Sequence, residues 1–181
     1  RLNKQFEWAG HHWVIPAVYS CNKGLVLDFC MCTPAEDIRE FMKKWDLSPE
    51  NDSCLNFTQE QQLQIDLDNP LCLDIIPCLK LNGKTMQASH SCSAVFNPCL
   101  SDETNNELEA KWAVKHYELD ISYGWMIFRA AFLWPDKRRP AIKSLSLTIE
   151  QQPFRMPGPH FKIHSPGDQF AFSHPISETK Y

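Results

Sequence analysis

The stretch Gly124-Trp-Met-Ile-Phe-Arg-Ala-Ala-Phe-Leu-Trp134 is apolar at odd and even positions alike. A β-strand sends successive side chains to opposite faces, so such a segment is stable only when covered on both sides. It predicts a central strand in a layered fold. The rest of the chain must then supply one layer above it and one below.

Two hairpins are predicted for those layers. Residues 13–20 and 25–32 are rich in strand formers, and Asn22-Lys23-Gly24 supplies a turn in which Gly24 is free to take a positive φ. Asn82-Gly83 is a strong two-residue turn signal and joins strands expected near 71–81 and 84–96. Later, Leu145, Leu147 and Ile149 alternate with Ser144, Ser146, Thr148 and Glu150, the pattern of a half-buried strand. Short strand-like runs follow at Phe161–His164 and Gln169–Ser173, separated by Pro157-Gly-Pro159 and Pro166-Gly167. The final residues to Tyr181 read as a turn leading to a further strand. The 169–173 edge is therefore expected to be covered by another polypeptide, either a second copy or an extension of the chain.

Helices are announced by their caps. Thr33-Pro34-Ala35-Glu36 reads as a capping box with proline at the first helical position, and Ile38, Phe41, Met42 and Trp45 put one apolar stripe on a helix of 34–46. Thr58 with Gln61 caps a short polar helix that Asn69-Pro70 stops. Thr104 and Glu107 open a third helix of about 105–118, whose expected apolar face carries Leu108, Trp112, His116 and Leu119.

With 43% hydrophobic and 22% charged residues in 181, the composition suits one soluble domain that needs no cross-links. The reading is a single globular domain over 1–181, with a helix-containing half to about 120 and an all-β half over 121–181. All eight cysteines fall in the first 99 residues, several of them in apolar strand-like runs, where they behave as small hydrophobes. Reduced thiols and a cytoplasmic location are expected, although Asn51-Asp-Ser53 and Asn56-Phe-Thr58 match the glycosylation sequon. No run approaches the ~20 apolar residues of a membrane-spanning helix. The first 120 residues hold 18 acids against 10 bases, and the remainder 4 against 8. That excess is too small for a dedicated nucleic-acid surface. It centres on Lys137-Arg138-Arg139, a candidate anion or acidic-partner loop.

The segments Trp13-Val-Ile-Pro-Ala-Val-Tyr-Ser-Cys-Asn-Lys-Gly-Leu-Val-Leu-Asp-Phe-Cys30 and Gly124–Trp134 resemble a family of uncharacterised proteins from anaerobic Firmicutes. The resemblance implies no activity and no site residues. It points to a bacterial cytoplasm.

Several side-chain sets could carry chemistry. His90, Cys92 and Cys99, closed by His116 or Cys72, offer the ligand types of a zinc site, without the spacing of a known finger or ribbon. Cys92 or Cys99 beside His116 would make an activated thiol. Against both, extending the Asn82-Gly83 hairpin sets His90 opposite Ile75 and Cys92 opposite Leu73, on the apolar side, where both would fill core. Asp28, Cys30 and Cys32 share a strand face with Val26; His11-His12 lie near Trp8 and Trp13; His160 and His164 flank an inward-facing Phe161 and Ile163. Arg129 is the odd charge of the most apolar strand and requires a partner, Asp28, Asp74 or Glu118, or an anionic ligand. No nucleophile elbow, phosphate loop, dinucleotide fingerprint or His-Glu-x-x-His is present.

Together these point to an α+β fold: an antiparallel β-sandwich-like core with two or three helices packed at its side. The function they favour is a non-catalytic binding or protein-interaction module, with partners at a C-terminal sheet edge and neither nucleic acid nor membrane. The alternative is a zinc-dependent or cysteine-thiol enzyme centred on His90, Cys92, Cys99 and His116.

Overall fold

The computed structural model describes residues 2–47, 57–100, 108–134, 138–153 and 162–171. Their architecture is α+β, with two antiparallel sheets and three helices. Strands β1 (Lys4–Trp8), β2 (His11–Ser20), β3 (Gly24–Pro34), β7 (Tyr123–Leu133) and β6 (His90–Phe96) form the large sheet in that spatial order. Strands β5 (Lys84–Gln87), β4 (Ile75–Leu81) and β8 (Leu145–Gln151) form the small one. The helices are α1 (Ala35–Lys44), α2 (Gln59–Asp68) and α3 (Leu108–Tyr117).

The two-sided apolar segment is β7, and it lies inside the large sheet as its pattern requires. It pairs with β3 over the full length of both strands, from Gly24 opposite Leu133 to Pro34 opposite Tyr123. One face of this pair presents Leu25, Leu27, Phe29, Met31, Met126, Phe128, Ala130 and Phe132 to Leu79, Leu81 and Met86 of the small sheet. Phe29 and Phe128 stack at 5.3 Å between centroids, an arrangement worth about 0.5–1.5 kcal/mol beyond its area. The opposite face presents Cys30, Trp125 and Ile127 to Ala110, Ala113, Val114 and Tyr117 of α3.

Strand β2 joins this arrangement through a bulge. Val14 pairs with Cys30 but Ala17 pairs with Asp28, so Ile15 and Pro16 together oppose Phe29. Proline has no ladder donor to give, and a bulge is one of the few places a sheet tolerates it. The extra residue restores alternation, so Val14, Ala17 and Tyr19 all face α3.

Some local readings need correction. Gly24 has no positive φ; that conformation is taken by Gly10, Gly83 and Gly167. Gly24 is required by proximity instead, since a Cβ there would stand 2.0 Å from the Phe132 carbonyl oxygen. Thr33 does not cap α1: its buried hydroxyl donates to the Pro70 carbonyl at 3.1 Å, and Pro34 takes the cap position with no side-chain bond. The box at Thr58 and Gln61 does form, in both directions. The Thr104–Glu107 cap lies outside the described residues.

The larger corrections concern the second hairpin and the chain's last third. Asn82 and Gly83 adopt the two left-handed conformations of a tight turn, and Cys78 to Leu81 pair with Gln87 to Lys84 in the expected register. The chain then leaves the small sheet, and β6 pairs with β7 in the large one. Strand 84–96 is thus two strands in two sheets. Residues 162–164 and 169–171 form no strand, and Ile163 is 73% exposed rather than inward. Residues 161, 172 and 173 lie outside the described residues, among which the last strand, at the edge of the small sheet, is β8.

Gly24→Ala is expected to destabilise the protein by about 3 kcal/mol or more, because the clash is with backbone. Gly124→Ala meets the end of the Ile38 side chain at 2.3 Å and is expected to cost less. Denaturant unfolding of both variants checks the order.

Candidate functional site

Two places in the described structure combine exposed surface with unusual chemistry. The first is the face of the large sheet under α3. The β2–β3–β7–β6 register aligns Ala17, Asp28, Arg129 and Cys92 in one row across it. Asp28 is 1% exposed, and Arg129 grips it with two nitrogens, Nε to Oδ1 at 2.7 Å and Nη2 to Oδ2 at 2.6 Å. The Tyr117 hydroxyl also donates to Oδ2, and itself meets the Tyr19 hydroxyl at 2.8 Å. A carboxylate this deep needs its lone pairs filled, and one guanidinium and one phenol from facing elements fill them. Arg129 therefore has the structural partner its position demanded. Its guanidinium is held in the charged form, chiefly by its bonds to Asp28. Burial, reinforced by the bond to Asp28, raises Tyr117 well above the usual phenol range.

Beside this cluster a groove of about 600 Å³ runs between α3 and the end of the sheet, lined by Cys92, Leu108, Trp112, Ile127 and Arg129 among others. Leu108, Trp112 and His116 were expected to face the core. The helix is rotated so that Ala110, Ala113, Val114 and Tyr117 are buried, leaving Leu108 and Trp112 77% and 55% exposed. Small residues won that face because α3 lies close over the sheet.

The four candidate metal or thiol residues are spread out. His90 begins β6 opposite Ala131, exposed, and Cys92 stands exposed opposite Arg129 rather than Leu73. Neither fills core, because β6 left the small sheet. Cys99 lies half-buried past the end of β6, its thiol donating to the Ala35 carbonyl at 3.6 Å. His116 stacks on Trp112 at 4.5 Å. Among the described residues no three His, Cys, Asp or Glu side chains are grouped as a metal would need. Of the basic loop, Arg138 and Arg139 are exposed and follow the end of β7, and Lys137 lies outside the described residues. His12 Nδ1 meets Glu7 Oε1 at 2.7 Å. The seven described cysteines are all free. Burial pushes the Cys30 thiol far up and the Cys32 thiol up to about 11, which keeps both protonated and unreactive.

The second place is the open side of the sandwich. The small sheet covers only part of the large one, and the uncovered inner face of β1 and β2 meets β8 across a cleft of about 590 Å³. Phe6, Trp8, Ile15 and Val18 form one wall, and Leu145, Leu147 and Ile149 the other. Each wall ends in a sheet edge, β1 on one side and β8 on the other. Asn82 fixes β8 there. Its Oδ1 accepts the Lys143 and Ser144 amides at 2.8 and 3.0 Å, and its Nδ2 donates to Ala141 at 2.7 Å.

The bonding pattern of β8 follows from the Asn82-Gly83 turn. A two-residue turn makes Leu81 and Lys84 a hydrogen-bonded pair, so odd residues of β4 bond towards β5 and even ones towards β8. The Asn82 amide to Ser144 at 3.0 Å and the Gln152 amide to Asp74 at 2.8 Å continue that alternation. Ser146, Thr148 and Glu150 accordingly bond inward to β4. The backbone groups of Leu145, Leu147, Ile149 and Gln151 point away from the sheet, unpaired among the described residues. Nothing in the sequence reading singled out this edge, although the alternation at 145–149 was its signal.

No protein-family model, no curated protein and no solved structure matches the chain. Among the described residues no helix is long and apolar enough to cross a membrane.

Two outcomes test the polar cluster. Arg129→Ala leaves the buried Asp28 carboxylate without its cation and is expected to cost about 3 kcal/mol in denaturant unfolding, with Tyr117→Phe costing about 1 kcal/mol. Cys32 is protonated in the folded chain at pH values where the unfolded thiol, at 9.0, has ionised. Its contribution is complete below pH 9 and is lost as pH rises towards about 11. Thermal melts across that window should fall less steeply in Cys32→Ala than in the parent.

Proposed function

We propose that the chain is a non-catalytic protein-interaction module that takes up an extended polypeptide along β8. The observation that carries this reading is an edge strand, unpaired among the described residues, beside an apolar cleft. Edge strands that must stay unpaired usually carry lysine, proline or a bulge. Strand β8, Leu-Ser-Leu-Thr-Ile-Glu-Gln, has none of these, and its register against β4 is unbroken. The β1 edge, by contrast, carries Lys4 and Glu7.

An added strand would be held by main-chain bonds to Leu145, Leu147, Ile149 and Gln151. Its alternate side chains would enter the cleft against Phe6 and Trp8, which selects apolar residues at every second position. The outward face of β8, with Ser146, Thr148 and Glu150, favours polar residues between them. The described cysteines, all free, support a reducing, cytoplasmic location, and the family resemblance supports a bacterial one.

The probe is a fluorescently labelled, end-capped peptide, LSLTIEQ, against a shuffled control without alternation. Saturable binding by anisotropy is expected for the first alone. Leu147→Pro removes one outward amide and leaves the β4 ladder intact, and is expected to weaken binding about tenfold. Equal binding of both peptides, or indifference to Leu147→Pro in a folded variant, would sink the reading.

A further inference from the structure

We infer that the polypeptide received by β8 is the β8 strand of a second copy of this chain, paired antiparallel about a two-fold axis through Thr148. This rests on the strand-addition reading and names its partner. The evidence is the self-complementarity of the strand.

Only odd residues of β8 offer outward backbone groups, so an antiparallel partner must match odd with odd. The register with the greatest overlap sets Leu145 opposite Gln151 and Leu147 opposite Ile149 of the second copy as hydrogen-bonded pairs. Ser146 then faces Glu150, and Thr148 faces its own counterpart, as non-hydrogen-bonded pairs. Every outward group of the strand finds a partner. No like charges meet, and a Thr–Thr cross-strand pair is favourable. Apolar side chains stay on the inner face and polar ones on the outer, so the pairing joins two small sheets into one of six strands.

Charge complementarity selects this register. Lys80 of β4 lies directly opposite Ser146, exposed on the outer face. In the paired sheet the next residue along that row is Glu150 of the second copy. Serine is too short to separate them, so the lysine reaches over it to the carboxylate, and symmetry makes two such pairs. A one-step slip along the edge, pairing Leu147 with Leu147, removes both.

The experiment uses the full chain. Sedimentation equilibrium is expected to show a reversible dimer. Thr148→Cys is expected to give a disulfide-linked dimer on mild oxidation, since facing residues at this position stand about 4.5 Å apart at Cα. Ser146→Cys, equally exposed but facing Glu150, is expected to cross-link no more than the parent with its native thiols. Lys80→Glu and Glu150→Lys are each expected to weaken the dimer about tenfold, and the double variant to restore it. A chain monomeric at all concentrations, equal cross-linking of the two cysteine variants, or no rescue in the double variant would overturn the inference. If the chain is monomeric while the labelled peptide still binds and is sensitive to Leu147→Pro, strand addition stands and the second copy is wrong. If neither occurs, both fail.

Discussion

The pairing of β3 with β7 is the constraint from which the other elements take their positions. Both strands run the full length of the sheet, and both are apolar on their two faces. A pair of this kind cannot stand at a surface, so a sheet must lie against one side and a helix against the other. The small sheet and α3 are those two covers, and each meets its own set of side chains, odd residues of β3 on one face and even on the other. Because the covers differ in kind, so do the faces. The sheet-facing side is wholly hydrophobic, whereas the helix-facing side tolerates Asp28 and Arg129, because α3 supplies Tyr117 to complete their bonding.

Unequal sheet widths follow from the same arrangement and produce the cleft. The large sheet extends past β3 to β2 and β1, and the small sheet ends at β8. The inner face of β1 and β2 carries Phe6, Trp8 and Trp13, and only Trp13 is fully buried. The aromatic rings are packed among themselves, Phe6 stacked on Trp13 at 6.0 Å and Trp8 tilted against it at 5.7 Å. They form the wall of the cleft without closing it. A preformed wall would cost little further ordering on the proposed addition of a strand.

Local signals in the sequence were reliable where one interaction decided the outcome. The Asn82-Gly83 turn, the Thr58 cap, the burial of β7 and the alternation of β8 each rest on a few neighbouring residues, and each formed. Failures came where distant residues competed for the same group. Thr33 had a helix end within reach, yet its hydroxyl went to Pro70, because burial at 1% exposure left no water to satisfy it otherwise. The third helix turned Leu108 and Trp112 outward because its inward face is set by Ala110 and Ala113 against the sheet and by the bond of Tyr117 to Asp28. The hairpin rule placed His90 and Cys92 in the core by continuing a register past Gln87. Pairing with β7 captured the chain instead, and both side chains became exposed.

That last exchange also explains why the β8 edge was not legible. Had 84–96 stayed one strand, β4 would have been flanked along its whole length on that side. Instead β5 is short, ending opposite Cys78, and Pro77 sits where β5 no longer pairs and no donor is required. On its other side β4 bonds to β8 over seven residues, so β8 inherits a long, straight register from a strand that is itself only half flanked. A seven-residue edge without a bulge or lysine, unpaired among the described residues, offers backbone groups to another strand. Its retention beside an apolar cleft is the physical argument for a partner there. The placement of Lys80, Ser146, Thr148 and Glu150 on its outer face is what the proposed pairing with a second copy rests on.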